Sequence, residues 1–179
     1  MSSHLINSPN TRSVDQGRWR LDPARSCVEF HVRNFYGLQT VKGRFASYDG
    51  TLELGARPVV LLTIDAASLN TDNAKRDKHL RSADFFDVER HPHIRFTSSI
   101  ATADGDSLKL RGQLDAAGKQ IPLELDAAVR VVDGELEVGA VAYGDQGELG
   151  MTWSPLGMIR APSKLIVCAR LIREERAGR

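Results

Sequence analysis

The stretch Thr71-Asp72-Asn73-Ala74-Lys75-Arg76-Asp77-Lys78-His79-Leu80-Arg81-Ser82-Ala83-Asp84-Phe85-Phe86-Asp87-Val88-Glu89-Arg90-His91-Pro92-His93-Ile94-Arg95-Phe96-Thr97-Ser98-Ser99 decides how the rest of the chain is read. Its flanks alternate apolar and polar residues, the period of two that half-buried strands show. The stretch itself is charge-dense, then carries an aromatic pair, then a proline, and only then returns to alternation. It reads as a short helix near residues 73–82, a hydrophobic plug and the entry to a strand. Asp72 or Asn73 supplies the N-cap, because a short side-chain oxygen accepts from the unpaired N–H groups of the first turn. Asp72–Arg76 and Asp77–Arg81 are spaced i, i+4 with the acid first, the favourable order on a helix. Leu80 is the one large apolar residue between Ala74 and Ala83. Such a helix belongs on a surface, with Leu80, Phe85 and Phe86 reaching inward. Pro92 cannot donate to a sheet ladder and keeps His91 out of the helical region. The next strand therefore starts at about His93, with Ile94, Phe96, Ser98 and Ile100 on one face.

Towards the N-terminus, Pro58 opens a strand in which Val60, Leu62, Ile64 and Ala66 face one way. Val59 and Leu61 on its other face predict cover on both sides near its start. Before it, Thr51–Leu54 is a strand, Tyr48-Asp49-Gly50 a turn or bulge signal, and Leu38–Ala46 a strand with Val41 and Phe45 inward. Ser26–Arg33 alternates clearly, with Val28, Phe30 and Val32 on the dry face. Trp19-Arg20-Leu21-Asp22-Pro23 opens the folded domain. Towards the C-terminus the pattern is a meander. Leu108, Leu110, Gly112 and Leu114 mark one strand, and Ile121, Leu123, Leu125, Ala127, Val129 and Val131 a longer one. The hairpin signal Asp133-Gly134 leads to Leu136, Val138, Ala140 and Ala142. Leu149, Met151 and Trp153 alternate again, Pro155–Pro162 is irregular, and Leu165, Val167, Ala169 and Leu171 close the chain. Residues 1–17 read as a disordered leader, 18–173 as one domain, and 174–179 as a charged tail. Many short alternating strands with tight connections point to an all-β antiparallel barrel of about eight strands with one inserted helix. A barrel of that size can enclose one small ligand.

A chain of 179 residues suits one domain with a real core. A net charge of +1 offers no concentrated basic surplus for a polyanion, and 6% aromatic residues make no stacking platform for bases, so nucleic acid is not an expected partner. No run approaches the roughly 20 apolar residues of a membrane helix. The leader lacks the apolar segment of a secretory signal, so the cytoplasm is the expected location. Cys27 and Cys168 stand outside any metal-binding spacing. Each lies in an expected strand, so a bridge is geometrically allowed if those strands pair, but a reducing compartment favours free thiols.

The chemistry-bearing candidates are few. His91 and His93 bracket Pro92 and, with Asp87 or His79, form a set of metal-ligand types; the plainer reading is a solvated pair beside a turn, and no metal or other cofactor is expected. Gly112–Lys119 fails as a phosphate loop: five residues separate Gly112 from Gly118, and Gln120 follows the lysine. His79 beside Asp77 offers an acid/base pair for an enzyme acting on a hydrophobic substrate, against the simpler reading of surface charges on a polar helix. The inward set Phe30, Val32, Phe45, Leu62, Ile64, Phe96, Leu110, Leu114, Leu123, Leu125, Val138 and Leu165 is plain core or the lining of a cavity.

Thr71-Asp72-Asn73, Arg76 to Val88 and Pro92 to Ser98 together resemble the signature of the YceI-like family of polyisoprenoid-binding proteins. Trp19 to Pro23 followed by Ser26 and Phe30 resembles the family's opening, and Val41-Lys42-Gly43-Arg44-Phe45 with Gly50 its second and third strands. The resemblance covers about residues 18–173. It implies an elongated lipocalin-like barrel with an apolar tunnel for an isoprenoid chain, such as a quinone tail or a polyprenyl phosphate, and a carrier or storage role without catalysis. It makes the inward set, together with Leu80, Phe85 and Phe86, tunnel lining, and it puts Arg76, Arg81, Arg95 or Arg160 near a headgroup. It also implies a homodimer, although no stretch marks an interface. Two stretches depart from the family: Arg33-Asn34 stands where relatives often have Lys-His, and residues 146–160 lack the usual Arg-Asp-Phe-Gly-like segment.

Overall fold

Alternation becomes an antiparallel sheet of eleven strands with one helix in the computed structural model, which describes residues 16–34, 39–104, 106–144, 148 and 163–174. The strands are β1 (Gly17–Leu21), β2 (Cys27–Asn34), β3 (Gln39–Phe45), β4 (Tyr48–Leu54), β5 (Val59–Asp65) and β6 (Leu69–Asn70). The helix α1 (Ala74–Arg81) follows, then β7 (His93–Asp104), β8 (Ser107–Ala116), β9 (Lys119–Val132), β10 (Glu135–Gly144) and β11 (Ser163–Arg173). Residues 1–15, the expected strand at Leu149–Trp153, Arg160 and residues 175–179 lie outside the described residues. The one helix described is too short to cross a membrane.

Eight strands close a ring in the order β1, β4, β5, β7, β8, β9, β10, β11, with β11 pairing back onto β1. Closure leaves the ring no edge strand to template aggregation. The barrel is elongated: β9 has 14 residues, a span of about 45 Å at ordinary strand rise. On the edge away from β10, β11 has two partners along its length. Its C-terminal part pairs with β1 through Leu21↔Leu171, and its N-terminal part pairs with β2 from Lys164↔His31 to Cys168↔Cys27. β2 carries β3, and β3 carries β6, so one end of the barrel is prolonged by an extra three-stranded flap. Cys27 and Cys168, both unbridged, stand directly opposite each other where β11 changes partner.

Two hairpins turn on paired positive φ angles, Ala117-Gly118 at 49° and 74° and Asp133-Gly134 at 54° and 79°. These are the twist-compatible primed turns of two-residue hairpins.

Four expectations are corrected. Tyr48-Asp49-Gly50 is not a turn but the start of β4; the chain breaks one step earlier, where Ser68 Oγ accepts from the Ala46 and Ser47 N–H groups. Gly50 serves close packing instead, since a Cβ there would lie 3.1 Å from the Leu61 carbonyl oxygen. Ile100 does not share a face with Ile94, Phe96 and Ser98. The ladder steps from Ser98↔Gly112 to Ile100↔Arg111, so Ser99 is bulged and Ile100 turns outward, 52% exposed. Val59 and Leu61 lack the cover that their apolarity predicted and are 42% and 40% exposed. The helix forms neither i, i+4 ion pair. Asp72 reaches Arg44 at 3.1 Å, and Asp77 accepts from Thr71, because Arg76 and Arg81 are drawn to backbone carbonyls.

The interior divides into two regions. Trp19, Leu21, Leu52, Leu108, Ala127, Leu136 and Leu171 fill the end away from the flap. Val28, Phe30, Phe45, Ile64, Leu69, Ile94 and Ala116 form the second cluster, against which Leu80, Phe86 and Val88 pack.

Candidate functional site

The helix is built to present a wall. Asn73 caps it by accepting from the Arg76 N–H at 3.0 Å. At the other end the chain folds back on itself. The Phe86 N–H donates to the Leu80 carbonyl, Val88 to Arg81, and Asp87 to Ser82, at 3.1, 3.1 and 2.9 Å. These bonds satisfy carbonyls that a helix end leaves orphaned, and they fix the direction of the aromatic pair. Phe86 meets Phe45 edge-on at 6.2 Å between ring centroids, and Phe45 lies 5.4 Å from Phe30. Arg81 ties the helix to the barrel by donating to the Ala67 and Leu69 carbonyls at 2.9 and 2.5 Å. The helix and its turn thus lean on the flap through rings on one side and backbone bonds on the other.

Beneath them lies a cavity of about 260 Å³. Its border takes Phe30 and Val32 from β2, Phe45 from β3, Leu80, Phe85 and Phe86 from the helix and turn, and Leu114, Leu123 and Leu165 from the wall. A smaller cavity of about 60 Å³ lies next to it, bordered by Leu62, Phe96, Leu110 and Leu125. Ile64, Ile94, Leu114, Leu123 and Leu165 border both. The two cavities therefore adjoin along one apolar wall that runs from the helix into the barrel, and together they make up its channel. Val138 borders neither of these two cavities; it packs against the cluster of Trp19 and Leu136. Val41, Ala116, Ile121 and Ala142 also border the larger cavity. Alternation marked several of these as inward. What it cannot mark is the level along the barrel axis, and that depends on register between distant strands.

Polar side chains reach this border at Arg76, His79, Ser163 and Lys164. Arg76 donates from Nε to Thr71 Oγ1 at 2.7 Å and from Nη2 to the Thr71 carbonyl at 2.8 Å. Thr71 in turn donates its hydroxyl and its backbone N–H to Asp77 Oδ1 at 2.5 and 2.9 Å. Buried Asp77 is thus committed to Thr71. It is not the partner of His79, as the acid/base reading required; His79 Nε2 lies 3.3 Å from Asp84 Oδ2, and its ring meets Phe85 edge-on at 5.1 Å. Of the four arginines considered for a headgroup, Arg76 alone reaches the cavity among the described residues. Arg81 is spent on carbonyls, Arg95 is exposed on the outside of β7, and Arg160 lies outside the described residues. His91 packs against Gly118, where an added Cβ would lie 2.6 Å from its Nε2, and His93 is exposed.

Fold and site together define a closed antiparallel barrel around an apolar channel, walled at one end by a short polar helix and its aromatic turn. The chain belongs to the YceI-like domain family, whose model matches residues 19–167. A UPF0312 protein of Pectobacterium atrosepticum is 38% identical over 104 residues, which cover 56% of this chain and 54% of that relative. The chain thus spans about half the length of the curated relatives it matches. Among solved structures, BcnA of Burkholderia cenocepacia superposes with a TM-score of 0.77 at 16% identity, covering 84% of this chain and 98% of that one. A polyisoprenoid binding domain from Saccharophagus degradans superposes with a TM-score of 0.72 at 14% identity, covering 89% and 100%. At such identities the likeness is one of fold.

Proposed function

We propose that this protein holds a lipid with an isoprenoid tail, such as an isoprenoid quinone or a polyprenyl phosphate, in the channel, as a carrier or store without catalysis. One observation carries the reading: among the described residues the channel wall is almost wholly aliphatic and aromatic, with polar side chains at its border at Arg76, His79, Ser163 and Lys164. Such a wall offers nothing to a polar solute and rewards burial of hydrocarbon. Each CH₂ removed from water contributes about 0.8 kcal/mol, so one five-carbon unit contributes up to about 4 kcal/mol before the costs of ordering are counted. The polyisoprenoid-binding activity of the Saccharophagus domain supports the choice of tail. Arg76 and Lys164 border the cavity and are the cations this reading assigns to an anionic or carbonyl headgroup, Arg76 by giving up a bond to Thr71.

Native mass spectrometry of the purified protein, followed by organic extraction, tests this. The expected result is a retained lipid, or, after delipidation, binding of added isoprenoid quinones or polyprenyl phosphates in preference to straight-chain fatty acids. A barrel that retains nothing and binds none of them would overturn the proposal.

A further inference from the structure

Cys27 and Cys168 are direct cross-strand partners in the antiparallel β2–β11 ladder. Directly opposed residues in such a ladder have Cα atoms about 4.5–5.5 Å apart, inside the range a disulfide spans. Successive side chains alternate faces, and both cysteines point away from the interior: Val28 and Phe30 beside Cys27 are buried, while Cys168 is exposed and Cys27 partly so.

We propose that Cys27 and Cys168 form a peroxide-oxidisable dithiol whose disulfide staples β2 to β11. Cys168 is the attacking thiol because it is the exposed one. Its sulfur bonds to one oxygen of hydrogen peroxide as the O–O bond breaks, giving a sulfenic acid and one water. Cys27 resolves it: its sulfur attacks the Cys168 sulfur, the S–O bond breaks, and hydroxide leaves with the Cys27 proton as a second water. Two thiols and one peroxide become one disulfide and two waters, with two electrons passed to the peroxide; a small-molecule dithiol reverses the change. Burial and the adjacent Cys168 push the Cys27 thiol up to about 11, which makes it a poor first nucleophile and leaves that step to the exposed Cys168.

The position gives the bond leverage. At Cys168 the β11 partner changes from β2 to β1, and the link between them, residues 22–26, is held by two bonds to Arg170, Asp22 N–H to its carbonyl at 2.8 Å and its own N–H to Ser26 Oγ at 3.0 Å. A disulfide there pins the flap that carries Phe30 and Val32 to the strand that carries Leu165, and so stiffens the channel wall. The inference does not depend on which ligand the channel takes.

The full-length protein is treated with equimolar hydrogen peroxide and digested without reduction. The expected product is a monomer containing a peptide pair linked through Cys27 and Cys168, about 2 Da lighter than the two thiols and separated by dithiothreitol. A bond closing so long a loop should raise the midpoint of thermal unfolding by roughly 5–15 °C. Cys27→Ser should abolish the rise and leave Cys168 trappable as a sulfenic acid. Intermolecular dimers, oxidation of Cys168 with Cys27 untouched in the native sequence, or a linked peptide with an unchanged midpoint would each overturn the proposal.

Discussion

Gly43 and Phe30 face each other across the β2–β3 ladder. The ring lies so close over the glycine that an added Cβ would sit 2.2 Å from Phe30 Cζ and 2.5 Å from Cε1. Both backbones are held in the ladder, so Gly43→Ala must displace the ring. Phe45 blocks one side, with its centroid 5.4 Å away. The space open to the ring is the cavity it borders. Overpacking of this kind costs about 1–3 kcal/mol, set against about 0.5–1 kcal/mol gained by removing a glycine from a strand; the net loss should be about 1–2 kcal/mol. Phe30→Ala alone should cost about 3–5 kcal/mol, the usual range for a buried ring. In that background the clash is gone, and Gly43→Ala should be neutral or slightly stabilising. The double-mutant cycle therefore predicts a coupling of about 1–3 kcal/mol. Urea unfolding at 25 °C reads it from midpoints at constant m-value. If the two changes add within about 0.5 kcal/mol, the ring does not occupy the space above Gly43 and the account of this wall is wrong.

Two further predictions concern the ends of the barrel. Arg25 donates to both Glu135 oxygens at 2.8 and 2.9 Å and to Asp22 Oδ2 at 2.6 Å, and holds both carboxyls below their ordinary values. A depressed carboxylate contributes stability that is whole above its unfolded pKa of about 4 and fades as the pH falls through the lower folded value. The urea midpoint should therefore drop between pH 5 and pH 3 more steeply in the native sequence than in Arg25→Ala; parallel curves would rule this out. At the helix end, Phe86→Ala removes the edge contact with Phe45 and should cost about 2–4 kcal/mol with loss of channel ligand. Lys78→Ala, on the exposed face of the helix, should stay within about 0.5 kcal/mol. Equal effects of the two would show that the aromatic turn is not a wall of the channel.

Much of this protein was legible in one dimension. Strand identity follows from a period of two, and the helix from a charge-dense break in that period with Asp72 or Asn73 at its head, of which the structure takes Asn73. The aromatic pair Phe85-Phe86 was readable as a plug because a helix with Leu80 as its one large apolar residue must bring its hydrophobic contact from just beyond its end. The family motif lay in the same residues. What alternation could not carry is any fact that depends on pairing between distant strands. The bulge at Ser99 turns Ile100 outward because Gly112 on β8 lets the ladder slip there: a Cβ at Gly112 would lie 2.2 Å from the Thr97 carbonyl oxygen. Val138 and Leu165 look alike in sequence and both pack against the cluster of Trp19 and Leu136, yet of the two Leu165 alone borders the two cavities, because register sets the level of each residue along the barrel. Asp77 and His79 are near neighbours in the chain, yet Thr71 takes the carboxylate and Asp84 the imidazole, because residues two apart on a helix face different ways. Cys27 and Cys168 were two separate thiols until β2 and β11 paired and set them opposite each other. Local chemistry decided which residues turn inward; tertiary pairing decided which of them meet.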